Sequence, residues 1–119
     1  MENFKLVLPE HLNQFEFLFG GYLLKFVDEV AWIAATLDYP GFSFVTVAMD
    51  RVEFRQSVRK GTILKFQCDR TKAGNTSVCY HVDVFKANST TGNTESVFAT
   101  NVTMVRVDEN GDKKRLDAE

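Results

Sequence analysis

Residues Phe17 to Leu37 place the strongest constraint on what this chain can fold into. Leucine, valine, alanine and aromatic residues there fall all round a helix rather than along one face, and a helix with so little polar surface needs cover on most sides. At ~20 residues it is long enough to cross a bilayer. Lys25, Asp28 and Glu29 occupy its middle, however, and Gly20-Gly21 open it. The expectation is a central helix, beginning near Phe17 and wrapped by a sheet, with no membrane role.

At helical spacing Tyr22, Lys25, Glu29 and Thr36 share one narrow stripe, the expected wet edge. Asp28 lies off that stripe, seven residues past Gly21 and among Leu24, Ala31, Trp32 and Ala35. A carboxylate on an apolar face is costly unless it has a partner or a chemical task. It could cap a neighbouring loop, meet a basic residue across an interface, or react.

From Phe42 the apolar period changes from helical to two. Phe42, Phe44, Thr46, Ala48, Asp50, Val52 and Phe54 would face one way along a strand of ~12 residues, a length that suits a strongly curved sheet. A connection from Arg55 to Gly61 leads to a strand over Thr62–Arg70. Lys72–Asn75 is a hairpin turn. Thr76–Phe85 and Glu95–Val107 are further strands, joined by a polar loop at 88–93. A short extended segment, Phe4–Leu8, precedes Pro9. The order of elements implies an α+β fold, one long helix on a curved antiparallel sheet of about five strands. The 119 residues fit a single domain over 1–119, with about 112–119 as a flexible charged tail. An exposed sheet edge makes a homodimer the expected minimum.

Composition narrows the function classes. A formal net charge of −2 argues against a basic nucleic-acid-binding surface. The first residues, Met-Glu-Asn-Phe-Lys, lack the apolar stretch of a signal peptide. Cys68 and Cys79 both fall within strands, as reduced thiols of a cytoplasmic protein. Asn75, Asn88 and Asn101, each in an Asn-x-Ser/Thr pattern, would there be chance matches. His11 and His81 show no metal-ligand spacing. Of the 11 phenylalanines, most are expected in the core, although some could line an apolar pocket.

Phe19-Gly20-Gly21 at a helix start is a device for stabilising an oxyanion. Glycine lets the backbone approach a ligand, and the first N–H groups of a helix have no internal partners. Close packing is the plainer explanation of a lone Gly-Gly. Joined to Asp28 it suggests polarisation of a carbonyl and attack on it, directly or through water.

Asn13, then Phe19-Gly20-Gly21-Tyr-Leu-Leu-Lys-Phe-Val-Asp28-Glu29, then Asp50 to Gly61 and Gly74-Asn-Thr-Ser77 together resemble the hotdog-fold acyl-CoA thioesterases, and within them the acyl-CoA hydrolase branch, typically a trimer of dimers. The resemblance covers nearly the whole chain. It implies hydrolysis of an acyl-CoA to free acid and CoA, with CoA as part of the substrate and no other cofactor or metal. It assigns Asp28 as general base or nucleophile and the Gly21 N–H as the group that polarises the carbonyl. Asn13 would shape the site, and Thr46, inward on the long strand, would help hold the attacking water. Gly20, Arg55, Arg59, Lys60, Thr76 and Ser77 match segments along the CoA path, where basic side chains suit phosphates. Each site would combine residues of two subunits.

The chain departs from that pattern at the helix entrance. The family usually has glycine where this chain has Glu16, and a polar residue, catalytic in some members, where it has Phe17. Glu16 could substitute from one position away, or it could be solvated loop with Phe17 packed under the helix. The departure keeps a second function open, an acyl-CoA-binding or regulatory protein without hydrolysis. A dehydratase is a third, with His11 as the near histidine.

Overall fold

The computed structural model describes residues 1–87, 90–92 and 94–118. Asn88, Ser89 and Asn93 of the expected 88–93 loop, and Glu119 of the tail, lie outside the described residues. The elements are β1 (Glu2–Leu6), a 3-10 turn at Pro9–His11, α1 (Gly20–Asp38), β2 (Ser43–Phe54), β3 (Ile63–Ala73), β4 (Ser77–Ala87) and β5 (Thr94–Val107). The strands form one sheet in the order β1-β3-β4-β5-β2, and every neighbouring pair is antiparallel. This is the α+β arrangement that the order of elements implied, and the hotdog fold that the resemblance implied.

Helix α1 lies against the middle of the sheet. Phe26, Val27, Val30, Ala31 and Ala34 pack with Phe66 of β3, Tyr80 and Val82 of β4, and Phe98, Val102 and Met104 of β5. The alternation of Leu64, Phe66 and Cys68, and of Val78, Tyr80, Val82 and Val84, points these residues into that core as expected. Fully burying each large side chain contributes roughly 1.5–3 kcal/mol. No helix among the described residues is long and apolar enough to cross a membrane.

The helix begins later than Phe17. Glu16 adopts a left-handed φ of 67°, Leu12 and Leu18 form an isolated antiparallel bridge, and Phe19 is the N-cap. The entrance is therefore a tight loop, and three apolar residues that continue the helical pattern belong to it. Nor is α1 covered on every side within one chain. Trp32 is 47% and Leu37 66% exposed.

Strand β2 also corrects a simple alternation. Its register against β5 shifts between Thr46 and Ala48 and again between Asp50 and Glu53, the second shift accompanied by a left-handed Arg51, φ 53°. Directly opposed residues share a face. Thr46, Met49 and Phe54 oppose the buried Met104, Val102 and Phe98, so these three face the helix side. Ala48 and Asp50, paired with Thr103 and Asn101, are turned to the other face. Each bulge inserts a residue and flips the phase, and two bulges restore it.

The expected loose tail is tied back onto the structure. The Lys114 and Leu116 N–H groups donate to the carbonyls of Arg106 (2.9 Å) and Asn75 (2.8 Å). The Arg106 side chain is buried; its guanidinium stacks on the Phe42 ring and donates to the carbonyls of Arg115 and Ala118. A buried cation needs acceptors, and the tail backbone supplies them.

Candidate functional site

Two groups of expected site residues form at different heights along α1. The first is at its N-terminus. The Asn13 side-chain carbonyl accepts from the N–H groups of Phe15 (2.9 Å) and Phe17 (3.2 Å). The Asn13 N–H donates to the Phe17 carbonyl (2.7 Å) and the Leu18 N–H to Val58 (2.7 Å). Asn13 thus closes the loop that delivers the chain into the helix, and buried Val58 anchors the 55–60 connection beneath it. Helical N–H donation to Phe19 begins at Tyr22 and Leu23, and no side chain caps the end. Gly20 and Gly21 therefore present the open donors of a helix start.

Of the two, Gly20 borders a cleft of about 340 Å³, lined also by Asn13, Phe17, Leu18, Leu23 and the 54–58 segment. A second groove, lined by Phe17, Arg59, Thr62 and Lys86, adjoins it and leads to a third beside Lys60, Lys86 and Glu95. Arg59 lies over the Phe17 ring, 4.9 Å from its centroid. Arg59 and Lys60 thus stand along a continuous trough, with Lys86, which sequence reasoning missed; its place beside them follows from the β3–β4 pairing of Ile63 with Ala87, a long-range register with no local signal. Arg55 also lines the cleft, but its guanidinium is bound to Glu53 (3.0 Å), Ser96 (2.5 Å) and Asp83 (3.7 Å).

The second group is Asp28 and Thr46. Asp28 is half-buried on the side of α1 that meets the β2 edge of the sheet, and the Thr46 hydroxyl donates to its Oδ1 at 2.5 Å. Thr46 Oγ1 also lies 3.3 Å from Met104 Sδ, which fixes the threonine between helix and sheet. Thr46 therefore faces the helix, yet it is exposed in the single chain because β2 is the sheet edge.

The two groups do not meet in one chain. Asp28 lies seven positions past Gly21 on the helix, which is about 10 Å along the axis, too far for both to touch one thioester. Thr76 and Ser77 lie at the other end of the sheet from Arg59 and Lys60: Ser77 opposes Val105, which opposes Val45. The Thr76 and Ser77 carbonyls accept from Arg106 and Gly74. Glu16 is exposed at its left-handed loop position. Phe17 is half-buried as the wall between cleft and groove.

His11 is used structurally. Its Nδ1 accepts from the Leu8 N–H (3.0 Å), and its ring packs on Tyr22 and Phe26. His81 sits on the sheet between Asn101 and Asp83. Burial pushes the Cys68 thiol up to about 12. Burial and the bond to Asp38 (2.7 Å) raise the Tyr80 phenol well above its ordinary value. No group of three or more His, Cys, Asp or Glu among the described residues could hold a metal ion.

Residues 15–93 match the model of the thioesterase superfamily. The chain is 30% identical over 105 residues to an uncharacterised acyl-CoA thioester hydrolase, YkhA, of Bacillus subtilis, covering 88% of this chain and 60% of that one. It thus spans less than two thirds of that relative's length. A solved acyl-CoA hydrolase of Staphylococcus aureus, carrying an asparagine-to-alanine mutation and in complex with coenzyme A, superposes with a TM-score of 0.89 at 25% identity, covering 97% of this chain and 68% of that one. The same enzyme was solved with an aspartate and with a threonine replaced by alanine. An apo hexameric acyl-CoA thioesterase superposes with a TM-score of 0.87 at 33% identity, covering 97% and 73%.

Proposed function

The chain belongs to the thioesterase superfamily, and from that premise we propose that it hydrolyses the thioester of an acyl-CoA to the free acid and CoA. The observation that carries this reading is the 2.5 Å bond between Thr46 and Asp28, at the exposed β2 edge of the sheet. A carboxylate held by a hydroxyl is oriented to activate water or to attack a carbonyl itself.

The oxyanion side comes from a second subunit. β2 is a long sheet edge with Val45, Val47 and Val52 exposed. Two such edges paired antiparallel about a two-fold axis bring the Phe54 end of one chain to the Ser43 end of the other. The Gly20–Gly21 donors and Asn13 of one subunit then approach Asp28 and Thr46 of its partner. This removes the ~10 Å separation within one chain. The hexameric relative suggests that three such dimers assemble. Arg59, Lys60 and Lys86 line the trough leading away from the donors and suit the CoA phosphates, with Thr76 and Ser77 of the partner on the opposite wall. Two free cysteines suit a reducing compartment, the cytoplasm.

The mutated S. aureus residues support this assignment. The asparagine and aspartate replaced there stand fifteen positions apart, as Asn13 and Asp28 do, and the threonine follows seventeen later, against eighteen from Asp28 to Thr46. CoA release from a panel of acyl-CoAs tests the reading. Asp28→Asn should lower kcat by about 10²–10⁴-fold with an unchanged melting curve, and full turnover in that variant refutes the role.

Phe17 favours a second reading. It fills the position where the family pattern has a polar residue, and it lies under Arg59. If saturable binding of acyl-CoA accompanies release no faster than in buffer, the chain is an acyl-CoA-binding protein.

A further inference from the structure

We propose that an apolar patch on the outer face of the sheet, formed by Phe4, Leu6, Ile63 and Phe85, is the surface through which dimers of this chain join one another. Its occupant is the same patch of a second copy. This rests on the three-dimer assembly proposed above and not on the chemistry of the site.

Strand register builds the patch. Phe4 and Leu6 of β1 oppose Lys65 and Ile63 of β3, and Lys65 in turn opposes Phe85 of β4. Directly opposed residues share a face. Leu64 and Phe66, which alternate with Ile63 and Lys65, are buried in the core with α1, so the patch is turned away from the helix. Phe4 is 55%, Leu6 52% and Ile63 43% exposed. The middle of the same face is polar and bonded within the chain. Gln67 donates to Asp69 (3.2 Å), and His81 lies between Asn101 (2.8 Å) and Asp83 (3.3 Å). Large apolar side chains gathered at one end of a polar face mark a contact surface.

Sheet order decides which contact it makes. In β1-β3-β4-β5-β2 the strands β1 and β2 are opposite edges. Pairing two β2 edges therefore leaves the patch bare, once at each end of the dimer. Two bare ends are what a closed ring requires. Three dimers joined patch to patch alternate two kinds of two-fold contact around one three-fold axis. A two-fold contact must be self-complementary, and the charges beside the patch meet that condition. Glu2 and Lys65 pair at 3.4 Å across β1 and β3, and the Lys65 ammonium lies over the Phe85 ring, 5.9 Å from its centroid. A two-fold axis passing between Glu2 and Lys65 sets each against its opposite in the other copy. A patch this small does not hold two chains by itself. Ring closure makes the last contact intramolecular and strengthens it, so the ring depends on the β2 pairing.

The experiment is sedimentation velocity on the whole chain and on its Phe4→Glu and Leu6→Glu variants, with folding checked by circular dichroism and CoA release measured alongside. Wild type should sediment as a hexamer. Each variant should sediment as a dimer with CoA release unchanged, because the composite site lies at the β2 pairing. Lys65→Glu should also shift the hexamer to dimer by placing like charges across the axis, and adding Glu2→Lys to it should restore the hexamer. Hexamer in both Phe4→Glu and Leu6→Glu overturns the proposal. So does a wild type that sediments as a dimer, including one whose patch instead binds phosphatidylcholine vesicles. Absence of CoA release from a hexameric wild type overturns the hydrolase reading instead, and sedimentation of the variants still decides the patch.

Discussion

The Thr46 hydroxyl donates to the Asp28 carboxylate at 2.5 Å, joining the sheet edge to the middle of the central helix. A hydrogen bond to a charged acceptor is worth about 1.5–3 kcal/mol, so the bond orients the carboxylate strongly. Thr46→Val keeps the shape and removes the donor. It should lower kcat about tenfold or more with little change in KM, measured by CoA release. Equal kcat in the variant would show that Asp28 is positioned without Thr46.

Glu16 occupies a left-handed conformation that favours glycine. This explains in backbone terms why the family pattern has glycine there. Glu16→Gly should stabilise the fold by about 1 kcal/mol, seen as a higher urea midpoint with the slope unchanged. If Glu16 itself acts on substrate, the same variant will also lose activity; if it is only strained loop, activity will be retained.

Val47 is 53% exposed on the bare edge of β2. A lysine there places charges against the proposed β2–β2 pairing. Val47→Lys should shift the protein to monomer in analytical ultracentrifugation, and hydrolysis should fall in step because each site needs two subunits. Monomer with full activity would refute the composite site.

Cys68 is 2% exposed, and burial raises its thiol from 9.0 to about 12. The unfolded chain loses this proton near pH 9 and the folded chain only near pH 12, so the stabilisation present below pH 9 is lost as pH rises through that window. Unfolding free energy should fall by up to about 1.4 kcal/mol per pH unit from this group. Tyr80, shifted in the same direction, adds to the decline. Cys68→Ala should flatten the pH dependence of urea denaturation between pH 9 and pH 10.5, and a slope equal to wild type would count against a buried neutral thiol.

Much of the fold was legible because its signals are local. The helical run and the alternation in β3, β4 and β5 record which side chains meet the core, and that pattern repeats within a few residues. The two departures, at the helix entrance and along β2, are places where backbone conformation overrode pattern. Phe17, Leu18 and Phe19 look helical but are held by hydrogen bonds to Asn13, Val58 and His11 respectively. Ala48 and Asp50 changed face because bulges interrupt the alternation.

The site divides in the same way. Asp28 stood out as a carboxylate among apolar residues, and Gly20-Gly21 as a backbone opening at a helix start, both read from composition at helical spacing. The fold alone decided that Thr46 reaches Asp28, that Arg59, Lys60 and Lys86 share one trough, and that Leu6 meets Ile63 on the outer face of the sheet. It also decided that Gly21 and Asp28 cannot serve one thioester within a single chain. Residue type and local period encode what a side chain offers and which side of its own element it occupies. Distances between elements depend on strand register and helix rise, which arise only when the whole sheet closes over the helix.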